Sequence, residues 1–171
     1  KYGAKVPFLR SSKNSDDFAT TFEVIKEVVS NYRLQNKIFD YVCCLYPCAP
    51  FVTEKKLASA FKILKKQNFD SVLPITAFSF PIQRAFKLDE NSRVFFHNPE
   101  FTFKRSQDLD QSYHDVGQFY WMNINRCLHK EAIITNNTGC IIISELEAQD
   151  IDTDLDWKLA ELKYKLMINE L

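Results

Sequence analysis

The sequence is poor in glycine, with three among its 171 residues, at Gly3, Gly117 and Gly139. Neither common glycine-rich phosphate loop, which needs several glycines in one short turn, fits that distribution. Long apolar runs are also lacking: none approaches the roughly 18 to 20 residues of a membrane-spanning helix, and the start has no charged segment followed by an apolar one. There is no excess charge of either sign, since Lys plus Arg and Asp plus Glu both number 22. That balance gives no general attraction to nucleic acid or to an anionic membrane, so an anionic ligand must be held by local groups. Five cysteines, including the adjacent Cys43 and Cys44 inside an apolar run, make no disulfide framework and fit a reducing compartment. The expectation is a soluble, cytoplasmic protein with no nucleic-acid or membrane partner, and 171 residues suit one domain.

The most distinctive stretch present is Gln149-Asp150-Ile151-Asp152-Thr153, between the apolar run Cys140-Ile141-Ile142-Ile143 and an amphipathic segment that ends at Leu171. In extended backbone, Asp150 and Asp152 point one way and Ile151 the other. Two carboxylates on one face suit Mg²⁺, a hard cation that commonly takes one or two protein carboxylates together with substrate phosphates. Acidic residues before helices ordinarily act as caps. Here Thr153 is itself a good N-cap with Asp154 and Asp156 in the first turn, which leaves Asp150 and Asp152 spare.

Elsewhere the periodicities describe an α/β chain. Phe18, Phe22, Ile25, Val29 and Tyr32 fall at helical spacing over 17–32, with Ser15, Asp16 or Asp17 available as caps. The continuously apolar run 40–46, ended by Pro47, reads as a strand buried on both faces in a parallel sheet. Thr53 caps a second helix with Leu57, Phe61 and Leu64 inward and Lys55, Lys56, Lys62, Lys65 and Lys66 mostly solvated. A strand over 71–76 completes a unit of the length expected for a parallel crossover. Residues 78–115 break the rhythm with Pro81, Pro99 and scattered aromatics, apart from a hairpin strand over 93–97. Such an excursion is where binding or oligomer contacts are expected. A strand over 118–122, a short helix over 125–130, a strand over 140–144 and a last helix follow. In that helix Leu155, Leu159, Leu162 and Leu166 form a stripe, and Glu161 with Lys165 makes an i,i+4 pair.

Several segments, in order along essentially the whole chain, together resemble the acylneuraminate cytidylyltransferases, and most closely the pseudaminic acid branch. They are 3–10 (GAKVPFLR), Tyr46-Pro47-Cys48-Ala49-Pro50-Phe51, 80–85 (FPIQRA), Arg105-Ser106-Gln107-Asp108-Leu109 with Tyr113-His114-Asp115 and 117–121 (GQFYW), and 149–157. The resemblance implies a Rossmann-like nucleotide-diphospho-sugar transferase fold with a mainly parallel sheet, helices on both faces, and residues 78–115 as a sugar-binding and dimerisation insert. It implies transfer of CMP from CTP to the anomeric hydroxyl of a nine-carbon sugar acid, with pyrophosphate released, Mg²⁺ present and a homodimer as the working form.

By motif match the metal role falls to Asp150 and Asp152, and the anionic groups of sugar or nucleotide fall to Arg105 and Arg84, since a guanidinium clasps a carboxylate with two parallel hydrogen bonds. Gln107 and Asp108 are candidates for the sugar's hydroxyl and acylamido groups, with Asp108 as the cap of a following turn the competing assignment. Gln118 and Tyr120 share one face of the predicted strand and so are placed in the sugar pocket, while Phe119 belongs to the core. Pro47 and Ala49, in the turn after the first strand, are expected near the nucleotide, although Cys48 stands where the family usually has Thr or Ser. His114 reads as a loop histidine packed beside Tyr113, and no general base is assigned. The family's opening strand and basic, glycine-containing loop have no match, so the chain is expected to lack that N-terminal CTP-binding part and to be inactive alone. Sialic or legionaminic acid is an alternative substrate. A non-catalytic module of the same fold and a metal-dependent phosphatase are the alternatives outside the class.

Overall fold

The computed structural model describes residues 3–169, which form, in chain order, α1 (Thr21–Leu34), β1 (Tyr41–Leu45), α2 (Glu54–Lys66), β2 (Ser71–Ala77), β3 (Phe86–Leu88), β4 (Val94–Phe96), β5 (Tyr113–Asp115), β6 (Phe119–Asn123), α3 (Ile124–Lys130), β7 (Thr138–Ile142) and α4 (Asp154–Met167). The expected end of the last amphipathic segment at Leu171 lies outside the described residues. Two compact units interleave along the chain: residues up to 46, 53–73 and 119–140 make one, and 47–52, 74–118 and those from 141 on make the other.

In the first unit β6 pairs antiparallel with β1, from Tyr41 opposite Asn123 to Leu45 opposite Phe119, and with the start of β2, Ser71 opposite Met122 and Val72 opposite Trp121. The expected mainly parallel sheet is therefore wrong. Strands β1 and β2 do run in the same direction, as the α2 crossover demands, but they are not neighbours, because β6 lies between them. The expected burial of β1 on both faces is also not met, since residues 41–44 are half-buried and Leu45 is 54% exposed, and an apolar run says nothing about the direction of a partner that arrives more than 70 residues later in the chain. The core is set by Phe119, Met122, Ile124, Leu64 and Val72, all fully buried, each worth about 1.5–3 kcal/mol of transfer free energy. Phe61 of α2 meets Tyr41 edge-on at 5.3 Å and Trp121 at 4.7 Å, while the Trp121 indole donates to the Leu57 carbonyl at 3.0 Å.

Helix α1 starts at Thr21, four residues later than the apolar spacing suggests, because Thr20 is the N-cap and forms a capping box with Glu23. Asp16 caps the preceding turn instead, accepting from the Phe18 and Ala19 amides at 3.0 and 2.9 Å, and Phe18 is 90% exposed. With so little glycine, left-handed turns fall to asparagine: Asn36 follows α1 and Asn68 follows α2, at φ 59° and 57°. Gly139 is irreplaceable for another reason, since a Cβ there would overlap the Phe69 ring. A buried carboxylate, unremarked in the sequence, organises this unit. Asp70 accepts from Lys130 Nζ and Thr135 Oγ1 at 2.7 Å each and from Asn137 Nδ2 at 3.2 Å, with Arg126 at 3.7 Å. Its backbone carbonyl accepts from the Asn123 amide at 2.8 Å.

In the second unit the end of β2 pairs antiparallel with β5, from Ile75 opposite Asp115 to Ala77 opposite Tyr113. That ladder stops at Ile75, since the next residue along β2, Pro74, has no N–H to donate. Val116, Gly117 and Gln118 leave the strand there, and Gly117 takes φ 62°. Strands β3 and β4 form the expected hairpin, with Asp89 Oδ1 accepting from Asn91 and Arg93 amides in its turn. Helix α4 opens with a capping box of Thr153 and Asp156. Its predicted leucine stripe is not its buried face: Leu155, Leu159, Leu162 and Leu166 are 40–64% exposed and Ala160 is buried. Glu161 takes the Trp157 indole N–H at 3.2 Å rather than Lys165.

Candidate active site

The second unit carries a cavity of about 530 Å³ lined by Asp150, Asp152 and Asp156 together with Gln149, His114 and the Asp115–Gly117 bend. Two features put carboxylates there. The stretch 150–152 is extended enough for Asp150 and Asp152 to line this cavity while Ile151 lines a separate apolar groove with Pro50, Phe51, Trp157 and Tyr164. Loss of the β-ladder at Pro74 lets Val116 and Gly117 turn toward the same cavity, a usual effect of a bulge beside a site. The bend is pinned by the Asp115 carboxylate, which accepts from the Gly117 amide at 2.9 Å.

The three aspartates are not equivalent. Asp156 Oδ2 accepts from the Thr153 hydroxyl at 2.7 Å and the Thr153 amide at 2.8 Å, and these bonds, the hydroxyl's first, hold its carboxyl below the usual carboxylate range. Its capacity is spent on the cap. Asp150 accepts only from the neighbouring Ile151 amide, at 3.0 Å, and the Asp152 carboxylate accepts from no protein group among the described residues. No Lys or Arg among the described residues lines the cavity. Among the described residues no three His, Cys, Asp or Glu side chains gather as a closed metal cage. Two spare carboxylates in an open cavity fit Mg²⁺, which keeps water and substrate oxygens in most of its positions, and do not fit a cation that needs an all-protein shell.

The expected sugar-side residues divide into those brought together and those not. Arg105 makes a bidentate pair with Asp108, Nε to Oδ2 at 2.7 Å and Nη2 to Oδ1 at 3.0 Å, and this bonding holds the guanidinium pKa above its ordinary value. Asp108 is thus neither a cap nor a free acceptor. Arg84 reaches the same turn, Nη1 lying 3.4 Å from Ser106 Oγ. Gln107 lines a second cavity of about 280 Å³ with Phe78, Ser79, Ser106, Gln111 and Ser112. Gln118 lies before β6 rather than on it. It is fully buried and donates from Nε2 to the Glu147 carbonyl at 2.6 Å, so it joins the bend to the 145–147 turn and lines neither cavity. Tyr120, in the first unit, is 9% exposed and packs edge-on against Tyr46 at 5.5 Å. Pro47 is exposed and Ala49 half-buried, and the following Pro50 and Phe51 are the turn residues that line a groove. His114 sits on β5, not in a loop, and its ring packs on Phe78 at 4.8 Å. Its place beside the carboxylates was missed because it depends on the bend, whose sequence signal is Gly117 following Val116.

No family profile matches the chain. The pseudaminic acid cytidylyltransferase of Campylobacter jejuni subsp. jejuni serotype O:2 is 36% identical over 166 residues, covering 97% of this chain and 72% of that protein. The chain belongs to the pseudaminic acid cytidylyltransferase family. A further member, the Helicobacter pylori pseudaminic acid cytidylyltransferase and UDP-2,4-diacetamido-2,4,6-trideoxy-beta-L-altropyranose hydrolase, is 35% identical over 88% of this chain and 28% of its own length. More distant is the CMP-N,N'-diacetyllegionaminic acid synthase of Legionella pneumophila, 24% identical over 94% of this chain and 69% of that protein. Family membership covers both cavities described above, since the matched span takes in nearly the whole chain.

Proposed function

We propose that this protein is an enzyme that activates a nonulosonic acid as its CMP derivative, transferring CMP from CTP to the sugar's anomeric hydroxyl with release of pyrophosphate, and that the sugar is pseudaminic acid. The observation that carries the reading is the 36% identity to the Campylobacter enzyme across 97% of the chain. A nucleotidyltransferase fold, now with a mostly antiparallel set of strand pairs, is consistent with it. In this reading Asp150 and Asp152 hold Mg²⁺. Bound there, the ion supplies neutralisation of the charge that develops on the phosphoryl oxygens. Asp156 and Thr153 keep the two ligands at the mouth of α4 by fixing the helix start, and Gln118 keeps the 145–147 turn against the Asp115–Gly117 bend.

The sugar carboxylate is met by the Arg105 fork, which Asp108 holds extended, with Arg84 bracing the turn through Ser106. Gln107, with the serines and Gln111 of its cavity, offers donors and acceptors suited to hydroxyl and acylamido groups. Pro47 and Ala49 shape the turn on the nucleotide side, and in the first unit Tyr120 packs on Tyr46. The exposed apolar hairpin, with Phe86, Leu88, Val94 and Phe95 all 52–72% accessible, supports a homodimer formed through the 78–115 excursion. Unpaired cysteines, with burial pushing the Cys43 and Cys127 thiols up to about 11, suit a reducing cytoplasm. Pyrophosphate release by the full-length protein with CTP, Mg²⁺ and a panel of pseudaminic, legionaminic and sialic acids tests the reading. Turnover is expected with pseudaminic acid first. Preference for legionaminic acid would transfer the assignment to the branch of the Legionella relative, and silence with all three would leave a non-catalytic module.

A further inference from the structure

The transfer described above needs a group to take the proton of the attacking hydroxyl, and we infer that His114 is that general base. The inference rests on the cytidylyltransferase reading. Its starting point is the Nδ1 atom of His114, 2.8 Å from the Asp115 carbonyl oxygen. A carbonyl only accepts, so Nδ1 carries the proton, and in the neutral ring the lone pair is on Nε2. Nε2 bonds no protein group among the described residues, and neither Asp150 nor Asp152 bonds the ring. The bond to the Asp115 carbonyl selects this tautomer, and the Phe78 ring packs on the imidazole at 4.8 Å. That ring lines the cavity to which Asp150 and Asp152 contribute. Among the described residues the acidic side chains that line the cavity are Asp115, Asp150, Asp152 and Asp156. Two of them are committed: Asp115 to the Gly117 amide and Asp156 to the Thr153 cap. The two spare ones are those assigned to the metal, which leaves His114 as the uncommitted proton acceptor of the cavity.

The step balances as follows. The anomeric oxygen forms a bond to the α-phosphorus of CTP, the bond from that phosphorus to the bridging oxygen breaks, pyrophosphate departs with that oxygen, and the hydroxyl proton passes to Nε2. Solvent takes the proton from the imidazolium before the next turnover.

The test uses H114N and H114Q in the full-length enzyme, since both keep an amide N–H for the Asp115 carbonyl and neither accepts a proton at neutral pH. Loss of the base is expected to lower kcat by about 10²–10⁴-fold, with KM for CTP and sugar little changed. The acid limb of the kcat–pH profile should vanish, and added imidazole should restore part of the rate to H114A. A merely structural histidine would move the urea midpoint instead and leave the acid limb in place. Should the amide variants not fold, carbethoxylation of the wild type mapped to His97, His114 and His129 replaces them: activity must fall with His114 labelling and be protected by CTP plus sugar. Retention of kcat within a few-fold, or of the acid limb, or activity independent of His114 labelling, overturns the assignment while leaving the cytidylyltransferase reading intact. A folded wild type that makes no CMP-sugar overturns both.

Discussion

Replacing Asp70 probes the buried node of the first unit, where the structure concentrates several bonds on one carboxylate that is 2% exposed. In D70A the hydrogen bonds from Lys130, Thr135 and Asn137 are all lost. Each bond to a charged group is worth about 1.5–3 kcal/mol taken singly. They share one acceptor, so the losses do not add. Lys130 and Arg126, 39% and 37% exposed, recover water when the carboxylate is gone, whereas the half-buried Thr135 hydroxyl and Asn137 amide recover less. The net cost is therefore about 3 kcal/mol for D70A and about 2 kcal/mol for D70N, which keeps one acceptor oxygen. With a urea m-value of about 2 kcal/mol per molar, D70A moves the unfolding midpoint down by about 1.5 M. Trp121 fluorescence reads the transition, because that ring packs on Phe61 in the same unit. Burial pushes the Asp70 carboxyl up, but the bonds from Lys130, Thr135 and Asn137 outweigh it and hold it below the usual range. A carboxyl with a lowered folded-state value contributes its full stability above the unfolded value of about 3.9 and loses it as pH falls through the folded value. The gap between wild type and D70N should thus be constant from about pH 8 to 5 and shrink below about pH 4. Coincident urea midpoints, or a gap that widens on acidification, would refute the reasoning.

Four further outcomes follow from particular contacts. Gly139→Ala places a methyl into the Phe69 ring and should cost about 1–3 kcal/mol by thermal or urea unfolding, with no gain from reduced chain entropy. Thr153→Ala removes the N-cap of α4 and should cost about 1 kcal/mol while raising the Mg²⁺ concentration needed for half-maximal activity. Asp152→Asn should leave the urea midpoint unchanged, because its carboxylate bonds no protein group among the described residues, and should lower kcat by about 10²-fold or more. If Arg105 meets the sugar carboxylate as proposed, Arg105→Ala should raise KM for the sugar acid by about tenfold or more and leave KM for CTP near its wild-type value.

What sequence reading recovered were features carried by local chemistry. The Thr53 and Thr153 caps, the α2 stripe with Leu64 inward, the span of β2 and the hairpin strand over 93–97 each depend on residues within one or two turns of chain. Thr153 takes the capping role as expected, with Asp156 as its partner, and leaves Asp150 and Asp152 outside the capping box. Features set by distant chain were not legible. The strand that separates β1 from β2 comes from residues 119–123, and nothing in the apolar run of β1 encodes an antiparallel neighbour. Gln118 looked like a pocket residue when its strand was taken to begin at 118. The β2–β5 ladder ends at Ile75 and Asp115, so Gln118 lies in the bend beyond it and is a buried tie to the Glu147 carbonyl. Arg105 and Asp108, two separate substrate candidates by motif, proved to be each other's partners because a tight turn at Ser106–Asp108 brings them three residues apart on one side. The Asp70 node escaped notice because an isolated aspartate before a strand has no pattern, and its partners lie about 60 residues ahead.

The central claim, that this chain's enzyme makes a CMP-sugar by using Asp150 and Asp152 with Mg²⁺, is tested most directly by mass-spectrometric detection of product. Full-length wild type and D150N/D152N proteins, both shown to be folded, are incubated with CTP, pseudaminic acid and Mg²⁺. The account predicts CMP-pseudaminic acid and pyrophosphate in equal amounts from the wild type, none without Mg²⁺, and a loss of at least about 10²-fold in the double variant. Undiminished product from the double variant, or none from a folded wild type with any of the three sugar acids, would contradict it.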